Sequence, residues 1–95
     1  MSIESTLQSK IRQYLKGKGC YVMVIRPQPG IPEGCPDIVF MLEGFWGSIE
    51  VKKDPKADYQ PLQKETIAKH NTWSWSRRVD PTNWDEVKVE LERIL

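Results

Sequence analysis

The sequence predicts an α/β domain whose elements run α-β-β-β-α-β-α. Three observations carry that expectation. Ile3, Leu7, Ile11 and Leu15 recur at helical spacing, as do Trp84, Val87, Leu91 and Ile94 near the other end. Between them lie short runs rich in β-branched and aromatic residues, at 21–25, 37–42, 45–53 and 73–79. The stretches separating those runs hold the Gly, Pro, Asn and Asp residues that punctuate secondary structure.

The first apolar stripe predicts a helix over Ser2–Lys16, with Ser2 as its N-cap and Gly17 and Gly19 ending it. Tyr21-Val22-Met23-Val24-Ile25 reads as a strand. Arg26–Pro36 is too rich in proline and glycine to be anything but a loop. Asp37–Leu42 reads as the second strand, Glu43-Gly44 as a tight hairpin turn, and Phe45–Lys53 as the third strand with a bulge at Gly47. Both of these strands are apolar on both faces, which predicts a central position. Asp54–Asp58 is a polar turn, and Tyr59–His70 a second helix with Pro61 in its first turn and Asn71-Thr72 as its breaker. Trp73–Val79 alternates with period two and reads as a half-exposed strand. Asp80-Pro81-Thr82-Asn83 stops it, with Asn83 as the N-cap of the closing helix.

At 95 residues the chain makes one domain, 1–95, able to bury a core without cross-links. No apolar run approaches a membrane span, and Met-Ser-Ile-Glu-Ser is not a secretory leader, so no membrane and a cytoplasmic location are expected. The two cysteines, Cys20 and Cys35, are expected to be free thiols. Net charge is +1, but its distribution is uneven. Residues 1–28 carry five bases and one acid, 29–51 four acids and no base, 52–78 seven bases and three acids, and 79–95 five acids and two bases. An acidic segment bracketed by basic ones suits a cation site inside a surface that attracts phosphates; chance in a short chain would produce the same pattern.

The acids and bases that matter stand at strand ends. Asp37 opens one apolar run, and Glu50 and Lys52 close the next. An antiparallel hairpin brings the start of the first beside the end of the second. Alternation puts Glu50 and Lys52 on one face, with Val51 pointing the other way. Two carboxylates and an ammonium suit a divalent cation and a phosphodiester. Mg²⁺ or Mn²⁺ needs few carboxylates and keeps several waters. A cation polarises the phosphate, and a nearby ammonium offsets the charge that grows on it. The same three residues also read as a strand-end ion pair.

Gly34-Cys35-Pro36-Asp37, Glu50-Val51-Lys52 and the following helix with Gln60 and Gln63 resemble the PD-(D/E)xK nucleases, and more narrowly the VRR-NUC (virus-type replication-repair nuclease) domain in its stand-alone form. The resemblance covers nearly the whole chain. It implies a restriction-endonuclease-like αβββαβα core, with a mixed central sheet flanked by helices. It implies a Mg²⁺- or Mn²⁺-dependent DNA endonuclease acting on branched DNA such as Holliday junctions, as a homodimer. Asp37, Glu50 and Lys52 would be catalytic, Asp37, Glu50 and the Val51 carbonyl would hold the metal, and Glu4 and Gln63 would support. Lys10, Arg26, Lys53, Gln60, Arg77 and Arg78 are candidate DNA contacts, although each alone reads equally as a solvated charge or amide. His70 reads as a helix-end cap. Trp73 and Trp75 would share a strand face with Arg77 and stack on bases or, more simply, pack. The fourth strand and the last helix's apolar face would form the two-fold patch. A non-catalytic nucleic-acid-binding module and a small phage protein-interaction domain are the rival classes.

Overall fold

The computed structural model describes residues 2–95. Its elements are α1 (Ile3–Gly17), β1 (Tyr21–Val24), β2 (Ile38–Leu42), β3 (Phe45–Val51), α2 (Gln63–Trp73), β4 (Trp75–Val79) and α3 (Trp84–Ile94), the expected order. The strands form one mixed sheet in the order β1-β2-β3-β4. β1 pairs with β2 and β2 with β3 antiparallel, while β3 and β4 run parallel, joined by the α2 crossover. No helix among the described residues is long and apolar enough to cross a membrane.

The two sheet faces have different neighbours. Ile38, Phe40, Ile49, Val51, Trp75 and Val79 point to the side of α1 and α3, where Leu7, Ile11, Leu15, Trp84, Val87 and Leu91 complete the apolar core. Tyr14 and Trp84 meet edge to face, tying α1 to α3, and Tyr14 and Lys18 both reach Glu92. The opposite face carries Trp46, Ser48 and Glu50 of β3 and lies against α2, since Ser48 Oγ is 2.7 Å from His70 Nδ1. Ser48 also bonds Ser76 Oγ, so these buried hydroxyls satisfy each other beneath the helix.

Local chemistry sets the element ends. Ser2 Oγ accepts from the Ser5 N–H at 3.0 Å, the expected N-cap. Glu43 and Gly44 both have positive φ, 38° and 81°, which closes the β2–β3 hairpin in two residues. That turn fixes the register Ile38↔Ile49, and its continuation sets Asp37 opposite Glu50.

Several elements differ from their sequence expectation. Gly47 makes no bulge, because the β2–β3 register runs unbroken through Phe40↔Gly47. Glycine is required there for space: a Cβ would come 2.5 Å from the Phe40 ring and 3.0 Å from that of Trp75. Gly47→Ala is expected to cost about 1–3 kcal/mol by overpacking. A denaturation midpoint unchanged from the parent in urea would contradict that packing.

α2 starts and ends later than Tyr59 and His70. Leu62 takes a left-handed φ of 67°, so the chain cannot enter the helix before Gln63. Asn71 does not break the helix, since its Oδ1 accepts from the Ser76 N–H beyond it, while Thr72 Oγ1 bonds back to Ala68. Trp73 is therefore the last helical residue, 67% exposed, and shares no strand face with Trp75. His70 is not a terminal cap but a half-buried ring wedged between Trp46 and Trp73. β4 is largely buried rather than half exposed. Asn83 does not cap α3 with its side chain; it bonds the Asp80 N–H and the Arg78 carbonyl. Part of the expected two-fold patch is used within the chain, because Trp75 bonds Glu90 and Trp84, Val87 and Leu91 pack on their own sheet, while Trp73 and Ile94 stay exposed.

Candidate functional site

Asp37, Glu50 and Lys52 do converge. Asp37 lies one residue before β2, and its carbonyl accepts from the Ile25 N–H at 2.7 Å, prolonging the β1–β2 ladder. Its Oδ2 accepts from the Val51 N–H at 2.8 Å. Lys52 lies one residue beyond β3, anchored by its N–H to the Val79 carbonyl at 2.8 Å. The Lys52 Nζ is 3.6 Å from Glu50 Oε2. Glu50 and Lys52 are 2% and 6% exposed, so both charges stand at the floor of a cleft and not in bulk water.

The cleft encloses about 550 Å³. One wall is the proline-rich loop, through Pro27, Gln28, Ile31 and Cys35; the other holds Glu4, Gln60 and Gln63. Gly34 locks the loop against the start of α2. Its φ is 82°, and a Cβ there would meet the Leu62 backbone at 2.6 Å. Gln63 is buried at the first turn of α2, with Oε1 accepting from the Gln60 N–H at 2.7 Å. Glu4 is exposed on the first turn of α1, close enough for its charge to disfavour ionisation of Asp37.

The electrostatics are those of crowded anions. Burial pushes the Asp37 carboxyl up, partly opposed by the Val51 N–H that it accepts. Glu50 is pushed up to about 8, chiefly by burial and next by the Asp37 charge, with Lys52 opposing. Glu50 Oε1 is buried and meets no donor with hydrogen-bond geometry, although the Glu50 carboxyl lies near enough to that of Asp37 for the two to share a proton. A buried carboxylate oxygen without a donor is costly, and either a proton or a cation relieves it. Two carboxylates, a strand backbone and open space beside them suit a hard cation that retains water. Among the described residues no three His, Cys, Asp or Glu side chains gather as a ready-made metal cage, so protein ligands alone would not complete a coordination sphere.

The candidate DNA contacts divide. Arg26 and Lys53 are exposed near the cleft, and Gln60 lines it. Lys10 lines a different groove, between α1 and the start of α3. Arg77 is held by Glu90 at 2.6 Å, by Asn71, and over the Trp75 ring. Arg78 is turned onto backbone carbonyls and is 17% exposed. Both guanidiniums serve the fold first, because β4 lies beside β3 and carries them into partners far along the chain.

Cys35 was not among the candidate site residues, yet it is half-buried in the cleft wall; burial raises its pKa, and the Glu50 and Asp37 charges add to the rise. Its position two residues before Asp37 was the available signal. Cys20 and Cys35 are both free thiols. Comparisons with protein-family models, with curated proteins and with solved structures found no match to this chain.

Proposed function

We propose that this chain is a metal-dependent nuclease that hydrolyses phosphodiester bonds in DNA, selectively in branched DNA such as a four-way junction. One observation carries the reading. A buried Glu50 carboxylate oxygen without a donor stands beside Asp37 and Lys52 on the floor of an open cleft. Two buried side-chain atoms lack a partner among the described residues, Glu50 Oε1 and Arg78 Nε, and of the two residues only Glu50 lines the cleft. The resemblance of Asp37, Glu50-Val51-Lys52 and Gln63 to the VRR-NUC pattern supports the same reading.

Asp37 and Glu50, with the Val51 carbonyl, would hold Mg²⁺ or Mn²⁺. The cation would supply Lewis acidity to the phosphate and make nearby water more acidic. Lys52 offers an ammonium held at the cleft floor beside Glu50, where it offsets negative charge growing on the phosphoryl oxygens. Glu4, exposed at the rim, and Gln63, buried in the wall with only its amide N–H groups free, would orient water and substrate. The proline-rich loop, packed at Gly34 against Leu62, forms one wall of the cleft. Free thiols fit a cytoplasmic protein. Symmetric cutting of two strands would require a homodimer.

The test is incubation of an end-labelled four-way junction and a matched linear duplex with Mg²⁺ or with EDTA. Expected is cutting with Mg²⁺ alone, faster on the junction. A mobility shift without cutting in either buffer would make the chain a binding module; neither binding nor cutting would overturn both nucleic-acid readings.

A further inference from the structure

The segment between β3 and α2, residues 52–62, contains no helix or strand, yet one side chain fixes it. Arg78 leaves β4 on the α2 side as the cross-strand partner of Glu50. Its guanidinium donates to the carbonyls of Asp54 at 3.3 Å, Pro55 at 3.2 Å and Ala57, and lies over the Tyr59 ring. A guanidinium this far from water is costly unless its donors are met; the two terminal nitrogens of the planar fork are served by carbonyls as an ammonium could not be, while the buried Nε has no partner. The strap's carbonyl dipoles are thus turned inward. Lys53 and Lys56 are left exposed, and neither makes an ion pair among the described residues. The Asp54 carboxylate is occupied by the Lys56 N–H at 2.8 Å.

Lys53, Lys56 and Asp58 line a shallow groove that shares Glu4, Lys52 and Gln60 with the main cleft, so the two are continuous. Glu4, Asp54 and Asp58 also line it, so it is not a broad basic patch; Lys53 and Lys56 are its lysines without an ion-pair partner among the described residues, and suit a phosphate. We propose that this strap is a second phosphate subsite, and that Arg78 is its positioning residue. The substrate is then a polynucleotide strand that places the scissile phosphate at Lys52 and a neighbouring phosphate on Lys53 and Lys56. This inference rests on the nuclease reading for the identity of the first site.

The experiment compares the parent with Lys53→Ala/Lys56→Ala and with Arg78→Ala. It measures kcat/KM on the labelled junction and on bis(4-nitrophenyl) phosphate, a diester with no second phosphate. It also measures the salt dependence of junction binding in Ca²⁺. Expected for the double variant is a fall of about tenfold in the junction-to-small-diester ratio, through KM, and a log–log salt slope shallower by about 1. Arg78→Ala should shift both readouts in the same direction, whereas general destabilisation would lower both substrates together. An unchanged ratio and slope in the double variant would overturn the subsite. If the parent hydrolyses neither substrate, the nuclease reading fails and the salt slope alone decides the subsite.

Discussion

Lys52→Met is expected to lower the rate of junction cutting by about 10²–10³-fold, the scale of losing one preorganised charge stabiliser. Methionine keeps the length of the stem and removes the ammonium, so it tests charge without opening a cavity. Lys52 is 6% exposed and its main-chain N–H is fixed by Val79, so the backbone has no reason to move. The loss should fall on kcat, because the ammonium acts most strongly on charge that develops during reaction. Asp37→Asn should also abolish cutting while keeping an oxygen to accept the Val51 N–H. Rates within tenfold of the parent for both variants, with unfolding midpoints preserved, would remove these residues from the chemistry.

Glu50→Gln is expected to separate stability from activity. The folded Glu50 titrates at about 8 against an ordinary 4.5, so the fold binds a proton more tightly than the unfolded chain. The sign follows: the stability tied to that proton is fully present below pH 4.5 and is lost as pH rises towards 8. The loss is about 2–4 kcal/mol after allowing for water that reaches the open cleft. Glutamine carries no such charge, so the variant should show a flatter curve and exceed the parent at pH 8 in EDTA. Mg²⁺ should raise the parent's midpoint at pH 8 far more than at pH 5, since the cation competes with the proton for Glu50, and should barely move the variant. Cutting should vanish in the variant. Urea titrations at three pH values, each with EDTA and with Mg²⁺, measure all of this. A parent curve flat from pH 5 to 8, or equal Mg²⁺ effects on both proteins, would show that Glu50 is neither strained nor a metal ligand.

The reach of the sequence differed along the chain for identifiable reasons. The α1 stripe, its Ser2 cap and the Glu43-Gly44 hairpin are local devices, each complete within a few residues. The hairpin also made the site legible: a two-residue turn sets register, and period-two alternation then sets faces. α2 was less legible because its boundaries depend on a left-handed Leu62 braced by Gly34 and on Asn71 bonding across to Ser76. Gly47 looked like a bulge because its real cause, the Phe40 ring above it, belongs to the neighbouring strand.

The order of elements, most of the apolar faces of α1 and α3, though not Ile3 or Ile94, and the pairing of Asp37 with Glu50 follow from residue order alone. Short-range periodicity and turn chemistry suffice for those. Tertiary structure decided how deeply Glu50 and Lys52 are buried, which wall the proline-rich loop forms, and that Arg77 and Arg78 are spent on Glu90, Asn71 and the strap carbonyls. A residue's charge is written in its side chain. Whether that charge faces water, a carbonyl or another charge depends on segments far away in sequence, brought near by packing.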